Sequence, residues 1–337
     1  MDHADALPPA VLVMTTGGTI AMRAGLNEQA PVPALGGREL LQLLRMPLPG
    51  RVLVEEVFNL PSDEMGPEQW RSLHARLQDA LARHDICGVV ITHGTDTVEE
   101  TAWFLELTTK TEKPVILLGA QRDASRADSD GPRNLHDGIR LAFLGSACGK
   151  GVMLIANGEI HGARWVAKSH TSNVMGFCSG EVGALGRIED SSVQFFHSAA
   201  RRSEWIPLLD AVLPKVEIVV MYGGADGSMI RRACESGARG VVVQALGRGN
   251  VNQAMLEAIQ DAMARGIAVA ISSRVGRGRV APHYGFPGGG LSLKEAGAVF
   301  CEELSPQKAR ILLMLALQRE QDPTRLDAYF SRILALS

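Results

Sequence analysis

The chain has 337 residues, a hydrophobic fraction of 46%, a charged fraction of 21% and a formal net charge of −3. That length suits two domains better than one core, and the composition is that of an ordinary globular protein. There is no block of like charges to attract nucleic acid or an anionic membrane, and no apolar run approaches the roughly 18 residues that a transmembrane helix needs. The short acidic start, MDHADALPPA, does not read as a signal peptide, so a cytoplasmic protein is expected. Five scattered cysteines, Cys87, Cys148, Cys178, Cys234 and Cys301, include no CxxC pair. They suit free thiols rather than a disulfide framework or a metal site.

Val11–Met14 predicts the first strand, and TTGGTI at Thr15–Ile20 follows it. The two glycines permit a sharp turn and close approach to a ligand, leaving the Thr19 hydroxyl exposed. Residues 21–37 are rich in Gly, Pro, Ala and Asn, without periodicity. A loop of that length beside such a turn is expected to be a flexible active-site lid. A short helix over 38–45 and a strand over 52–57 lead to a second polar turn, Asn59–Met65. Pro67–Arg83 then reads as an amphipathic helix with Trp70, Leu73, Leu77 and Leu81 on one side.

Gly88–Thr101, GVVITHGTDTVEET, has the plainest grammar in the chain. An apolar β-branched run precedes Thr92–Thr97, and Val98, Ala102 and Leu105 follow at helical spacing. Thr97 and Glu100 are placed for a capping box. Strand, polar turn and helix in that order put the polar cluster where open α/β sheets bind ligands. The expectation is that Thr19 and Thr95 face each other across one cleft.

Further strands are predicted over 113–118 and 151–156, with a helix over 135–144 between them. Gly162–Asn173 carries Arg164, Lys168 and His170, and 179–202 has weak pattern. Beyond 203–214 the grammar restarts: strand 216–222, helix 228–235, strand 240–246, helix 253–265, strand 267–272. That βαβαβ series implies a parallel sheet between helices. Residues 276–290 read as a Gly/Arg-rich loop, and 306–318 and 323–334 as closing helices. The expected organisation is a two-domain α/β protein: a large N-terminal domain (1–202) with the flexible loop, a linker (203–214), and a smaller C-terminal parallel-sheet domain (215–337). No dinucleotide GxGxxG, P-loop, GxSxG elbow or HExxH is present.

TGGTI at Thr16–Ile20 and HGTDT at His93–Thr97 resemble the two signatures of the bacterial-type L-asparaginase family. GAQR at Gly119–Arg122, SDGPRNL at Ser129–Leu135 and SPQKARILL at Ser305–Leu313 extend the resemblance over nearly the whole chain. It implies an amidohydrolase that converts asparagine to aspartate and ammonia. A threonine hydroxyl is a weak nucleophile until a base takes its proton, and the tetrahedral oxyanion it creates needs fixed donors. The resemblance implies that Thr19 is that nucleophile, forming an acyl-enzyme, and that Thr95, Asp96 and Lys168 serve proton transfer and water activation. Lys168 is expected to orient Thr95 and stabilise negative charge. The substrate-binding set it implies is Gly18, Ser62, Asp63, Gly94, Ala120 and Asn250. Ser62 would meet the α-carboxylate, and Asp63 and Asp96 the α-ammonium. Taken singly, each is ordinary: a turn threonine, a helix cap, a surface lysine.

His93 is read as a structural hydrogen-bonder. The resemblance further implies no metal or organic cofactor, a small-molecule substrate (asparagine or glutamine), no nucleic-acid or membrane partner, and a homotetramer of intimate dimers. The chain also departs from the pattern. The tyrosine common in the loop after TGGTI is absent, since the only tyrosines are Tyr222, Tyr284 and Tyr329. Asn250 matches an asparagine that a neighbouring subunit supplies in secreted members, but no acidic residue between Arg274 and Gly290 matches its glutamate partner. Asp63 stands where Gln or Glu is common. The alternatives are a glutaminase-asparaginase of broader specificity, a non-catalytic amino-acid binder, and an amidotransferase subunit. The last is disfavoured because such subunits carry an added N-terminal domain, whereas TGGTI here starts at Thr16.

Overall fold

A computed structural model of the chain describes residues 8–25, 29–190, 192–197, 204–320, 322 and 325–335. They divide into two compact units, Met1–Arg201 and Arg202–Ser337. In chain order the N-terminal unit contains β1 (Ala10–Gly17), β2 (Met22–Gly25), β3 (Gln29–Pro33), α1 (Gly37–Gln42), β4 (Arg51–Leu60), α2 (Pro67–Ala82), β5 (Ile86–Thr92) and α3 (Val98–Thr108). It continues with β6 (Val115–Leu118), α4 (Gly131–Phe143), β7 (Val152–Ala156), β8 (Glu159–Gly162), β9 (Ala167–Lys168), β10 (Phe177–Cys178), β11 (Gly186–Glu189) and β12 (Ser192–Phe195).

Eight of these strands form one sheet in the order β12-β11-β8-β7-β6-β5-β1-β4. From β4 to β7 every pairing is parallel; β8, β11 and β12 extend the sheet antiparallel. The parallel part is covered on both faces, which is why β1, β5 and β6 are near-continuous apolar runs rather than alternating ones. Helix α2 buries Trp70, Leu73, Leu77 and Ala80; α3 buries Val98, Ala102 and Leu105 among others.

Register decides where the chemistry goes. In the β1–β5 ladder Thr15 pairs with Thr92, and in the β5–β6 ladder Thr92 pairs with Leu118. On the other side Gly17 pairs with Leu60. Four parallel strands therefore end at one level, and the four turns after them emerge side by side.

Three details differ from expectation. Residues 21–37 do not form a structureless lid: β2 and β3 pair as an antiparallel ribbon, although residues 26–28 lie outside the described ones. The base of the ribbon is tied down by Ala34 N–H and Leu35 N–H donating to Ala21 O, and by Ala124 N–H donating to Met22 O. Thr97 occupies the N-cap position of α3 but makes no side-chain cap; its side chain is turned to Ser62, and its hydroxyl donates to Ser62 O. Helix α4 starts at Gly131, four residues before its predicted start, with Pro132 in its first turn.

The C-terminal unit contains β13 (Val216–Val220), α5 (Ser228–Glu235), β14 (Gly240–Ala245), α6 (Gln253–Ala264), β15 (Ala268–Ser273), α7 (Gly290–Glu295), β16 (Val299–Phe300), α8 (Pro306–Arg319) and α9 (Leu326–Leu334). Its sheet, β13-β14-β15-β16, is parallel throughout, as the βαβαβ series requires. The short helix α7 starts at the last residue of the stretch read as loop, and strand β16 follows it. Asn252 caps α6 by accepting from Met255 N–H at 2.9 Å, and Ser305 caps α8, accepting from Lys308 N–H. No helix among the described residues is long and apolar enough to cross a membrane, and all five cysteines are unpaired.

Candidate active site

The four turns at the strand ends touch through their backbones. A β-carbon on Gly18 would stand 2.3 Å from Gly94 Cα and N, and one on Gly94 would stand 2.7 Å from the Ser62 Cβ and Oγ. One on Gly119 would meet His93 O at 2.5 Å and the Thr95 methyl at 3.1 Å. Only glycine permits this closeness, and Gly18 also has φ +81°, which disfavours any other residue. The Thr19 turn thus rests directly on the turn that carries Thr95. Both glycine contacts lie one residue before a threonine, so the two hydroxyl-bearing residues are neighbours in space although 76 residues apart in the chain.

Hydrogen bonds lock the arrangement. Thr16 Oγ1 donates to Thr92 O (2.8 Å), joining β1 to the end of β5. Gly18 N–H donates to Leu60 O (3.0 Å), which commits that amide to structure. Thr97 Oγ1 donates to Ser62 O (2.5 Å), tying the third turn to the second. Beyond β6, Asp130 accepts from both Gln121 N–H and Arg122 N–H at 3.0 Å, and Asn134 Nδ2 donates to Gly119 O at 2.9 Å. The SDGPRNL segment therefore serves as a brace that shapes the GAQR turn.

His93 sits behind the turn, fully buried. Its Nδ1 lies 2.8 Å from Gly94 O, and its Nε2 lies 2.9 Å from Thr101 Oγ1, which also accepts from Trp70 Nε1–H at 2.9 Å. Burial pushes its pKa down to about 4. A neutral imidazole has one N–H, and a carbonyl can only accept, so Nδ1 carries the proton and Thr101 donates to Nε2. The Trp70–Thr101–His93–Gly94 chain is thereby fully satisfied, and His93 holds the shape of the turn as expected.

At the mouth of the site Lys168 Nζ donates to Thr95 Oγ1 (2.8 Å) and to Asp96 Oδ1 (2.6 Å). The lysine side chain is 16% exposed and the Asp96 side chain 74%. Lys168 belongs to β9, whose short ribbon with β10 pairs it with Phe177. Its own backbone N–H donates to Glu99 Oε2 (2.5 Å). Glu99 was not singled out from sequence. It stands 69 residues from the amide it holds, and local pattern gives no hint of such a contact. Its place in the HGTDTVEET run was the one available signal.

The structure thus brings together Gly18, Thr19, Ser62, Gly94, Thr95, Asp96 and Lys168. Thr19 is half-buried, Ser62 and Thr95 are buried, and Asp63 is exposed one residue after Ser62. Ala120 is buried beside Gly131 and follows the Gly119 contact. Asn250 lies in the C-terminal unit, in a bridge with Leu246 after β14, with a buried Oδ1 that has no hydrogen-bond partner among the described residues. Among those residues no group of three His, Cys, Asp or Glu side chains is placed to hold a metal ion.

Known proteins match along the whole of this architecture. The family model described as "Asparaginase, N-terminal" matches residues 10–201, and that described as "Glutaminase/Asparaginase C-terminal domain" matches 215–330. The chain is 33% identical over 332 residues to "L-asparaginase 2" of Bacillus subtilis, covering 96% of this chain and 86% of that one. It is 35% identical over 330 residues to "Probable L-asparaginase periplasmic" of Haemophilus influenzae, covering 96% and 92%. The crystal structure titled "Probable Cytoplasmic L-asparaginase from Campylobacter jejuni" superposes with a TM-score of 0.84 at 35% identity, covering 96% of this chain and 99% of that one. With both halves matched, and identity above 30% sustained over nearly its full length, the chain belongs to the asparaginase family and is an L-asparaginase-like amidohydrolase.

Proposed function

We propose that the protein hydrolyses L-asparagine to L-aspartate and ammonia with Thr19 as nucleophile. The observation that carries this reading is the Lys168–Thr95 contact at 2.8 Å on a turn packed against the Thr19 turn. Thr19 Oγ attacks the side-chain amide carbon, the C–N bond breaks, and ammonia leaves with the proton taken from the hydroxyl. The resulting ester is cleaved by water, regenerating Thr19. Lys168 donates to Thr95 Oγ1, so the hydroxyl proton of Thr95 is free to point at the reacting water or leaving group. Lys168 also stabilises the negative charge that Thr95 acquires when it relays a proton. Asp96 holds the ammonium of Lys168 in place.

Thr95 lies just before the N-terminus of α3, where the helix dipole favours developing negative charge. The amides of the Thr19 and Thr95 turns are assigned as the oxyanion donors, since the Gly18 amide is used by Leu60. Ser62 takes the α-carboxylate, and Asp63 and Asp96 take the α-ammonium. A carboxylate–ammonium contact at ~4 Å contributes up to ~4 kcal/mol at an effective dielectric near 20.

We also propose a homotetramer in which Asn250 completes a neighbouring subunit's site. The orphaned Oδ1 of Asn250 supports this, as do the exposed Tyr222, Met229, Tyr284 and Phe286 of the C-terminal unit. The test is ammonia release from asparagine and from glutamine, side by side, by wild type, Thr19→Ala and Thr95→Ala. The expected outcome is a loss of roughly 10³-fold or more in each variant, the scale set by removing a group that acts on the reacting atoms. An unchanged rate in Thr19→Ala would refute the mechanism.

A further inference from the structure

A cleft of about 460 Å³ opens on the outer side of α4, and none of Thr19, Ser62, Asp63, Thr95, Asp96 or Lys168 lines it. The volume falls in the range of small-molecule sites. Its floor is unusual. Arg133, His136, Asp137 and Arg140 stand at helical spacing on one face of α4, yet His136 and Asp137 are 95% buried or more. Each carries a buried atom with no hydrogen-bond partner among the described residues: Nδ1 of His136 and Oδ2 of Asp137.

Asp137 Oδ2 is an acceptor in the carboxylate, and His136 Nδ1 is one in the neutral imidazole. His136 Nε2 lies 3.3 Å from Pro47 O, so in the neutral imidazole Nε2 carries the hydrogen and Nδ1 is bare. Nδ1 then stands 3.7 Å from Asp137 Oδ1, beyond hydrogen-bond range. The cation facing Asp137 Oδ2 is Arg133 Nε, at 3.7 Å, beyond hydrogen-bond range; Arg140 is 3.8 Å from Oδ1 and spends its Nη1–H on Asp190 O. Burial raises the pKa of Asp137 despite these three neighbours, as expected where the carboxylate is poorly compensated.

The walls supply the opposite chemistry. Arg126 is held in a two-pronged pair with Asp128, but Arg45 is exposed and its side chain makes no hydrogen bond or ion pair with a described residue. Arg133 is 63% exposed with only the long contact to Asp137, so its guanidinium is free to turn. Leu43, Met46 and Pro132 add an apolar side. We infer that this cleft is a second ligand site, separate from the threonine turns, for a small zwitterion. Its ammonium donates to Asp137 Oδ2 and His136 Nδ1, and its carboxylate meets Arg133 and Arg45. Such a ligand exchanges a loose 3.7 Å ion pair for charge-assisted hydrogen bonds.

The test is calorimetry on the full-length protein with glycine, β-alanine and 4-aminobutyrate as zwitterions, and with acetate and ethylammonium as the two half-ligands. Saturable binding of at least one zwitterion is expected, with no binding of either half-ligand. That binding should weaken at least tenfold in Arg45→Ala and in Arg133→Ala, both surface changes, and vanish in Asp137→Asn. Asparagine turnover in the two arginine variants should stay within twofold of wild type, which separates this site from the catalytic one. Binding unaltered in both arginine variants would place the ligand elsewhere and overturn the proposal. So would acetate binding as tightly as any zwitterion, or no zwitterion binding at all.

Discussion

Both units hold parallel strands between helices, extended by antiparallel strands in the N-terminal unit alone, and they use the ends of the parallel strands differently. At the ends of β1, β5 and β6 the glycines are crushed together: Gly18 on Gly94, Gly94 on Ser62, Gly119 on His93. After β13 and β15, Gly223, Gly224, Gly276 and Gly278 have nothing within 4 Å of where a β-carbon would be. In the first case glycine is required because backbone must touch backbone; in the second it merely lets the chain turn. At these strand ends the same residue type marks the candidate site in one unit and an ordinary connection in the other, although Gly288 and Gly289 elsewhere in the C-terminal unit are packed as closely. The discriminating feature is what stands next to it: Thr19, Thr95 and Asp96 in the N-terminal unit, open chain in the C-terminal one.

The sharpest way to break this contrast is at Lys168. Lys168→Met removes the donor to Thr95 and the partner of Asp96 while keeping the aliphatic stem. If the packed turns are catalytic, kcat for asparagine falls roughly 10²- to 10³-fold, the loss typical of removing one preorganised donor, and the melting temperature hardly moves. The pair is partly exposed, so its contribution to stability is small. A variant that melted much earlier yet kept its kcat would assign Lys168 to structure instead.

The next effect is on stability and concerns two buried imidazoles, His93 behind the site and His161 on β8. His93 and His161 are buried and their pKa values are pushed down to about 4, in both cases by burial. In the unfolded chain each titrates near 6.5. Between pH 6.5 and about 4 the unfolded state therefore binds a proton at each site that the folded state refuses, and stability falls as pH falls through that window. The stabilisation is fully present above pH 6.5 and is exhausted below about 4. Its size is on the order of 3 kcal/mol per imidazole. Urea midpoints measured from pH 7 to pH 4 should show this slope, and His93→Gln should remove about half of it. Equal slopes in wild type and variant would mean that His93 is not the group resisting protonation.

Much of this was legible in the chain, and the reasons for the rest are physical. The strands β1, β5 and β6 and the polar turns after them could be read because buried parallel strands are continuous apolar runs and turn residues cluster behind them. The helices α2, α3, α5, α6 and α8 followed from period and caps. The ribbon β2–β3 was missed because its strands are short and its composition, Gly, Pro and Ala, carries no alternation. The expected side-chain cap by Thr97 is not made because the Thr97 side chain is turned toward the Ser62 turn, away from the first amides of α3. Its hydroxyl donates to Ser62 O, 35 residues away, a contact that no local rule can see. Glu99 on the Lys168 amide and Asp130 under the GAQR turn are non-local in the same way.

The smallest expected effects come from a matched pair of substitutions at one crowded and one open strand end. Gly94→Ala puts a methyl group 2.7 Å from the Ser62 Cβ and Oγ. Gly94 has no left-handed φ, so the cost there is crowding alone. Overpacking of this kind typically costs about 1–3 kcal/mol, and the movement that relieves it displaces Ser62, raising KM for asparagine. Gly223→Ala adds the same methyl group to open space at a backbone angle that alanine accepts. It should lie within about 0.5 kcal/mol of wild type, or be slightly stabilising because the unfolded chain loses freedom. Denaturant unfolding of both variants, read with asparagine kinetics, checks the pair. Were the two substitutions to cost the same, close packing would not be what distinguishes these two sets of strand ends. The Thr19 and Thr95 turns would then need another reason to lie against each other.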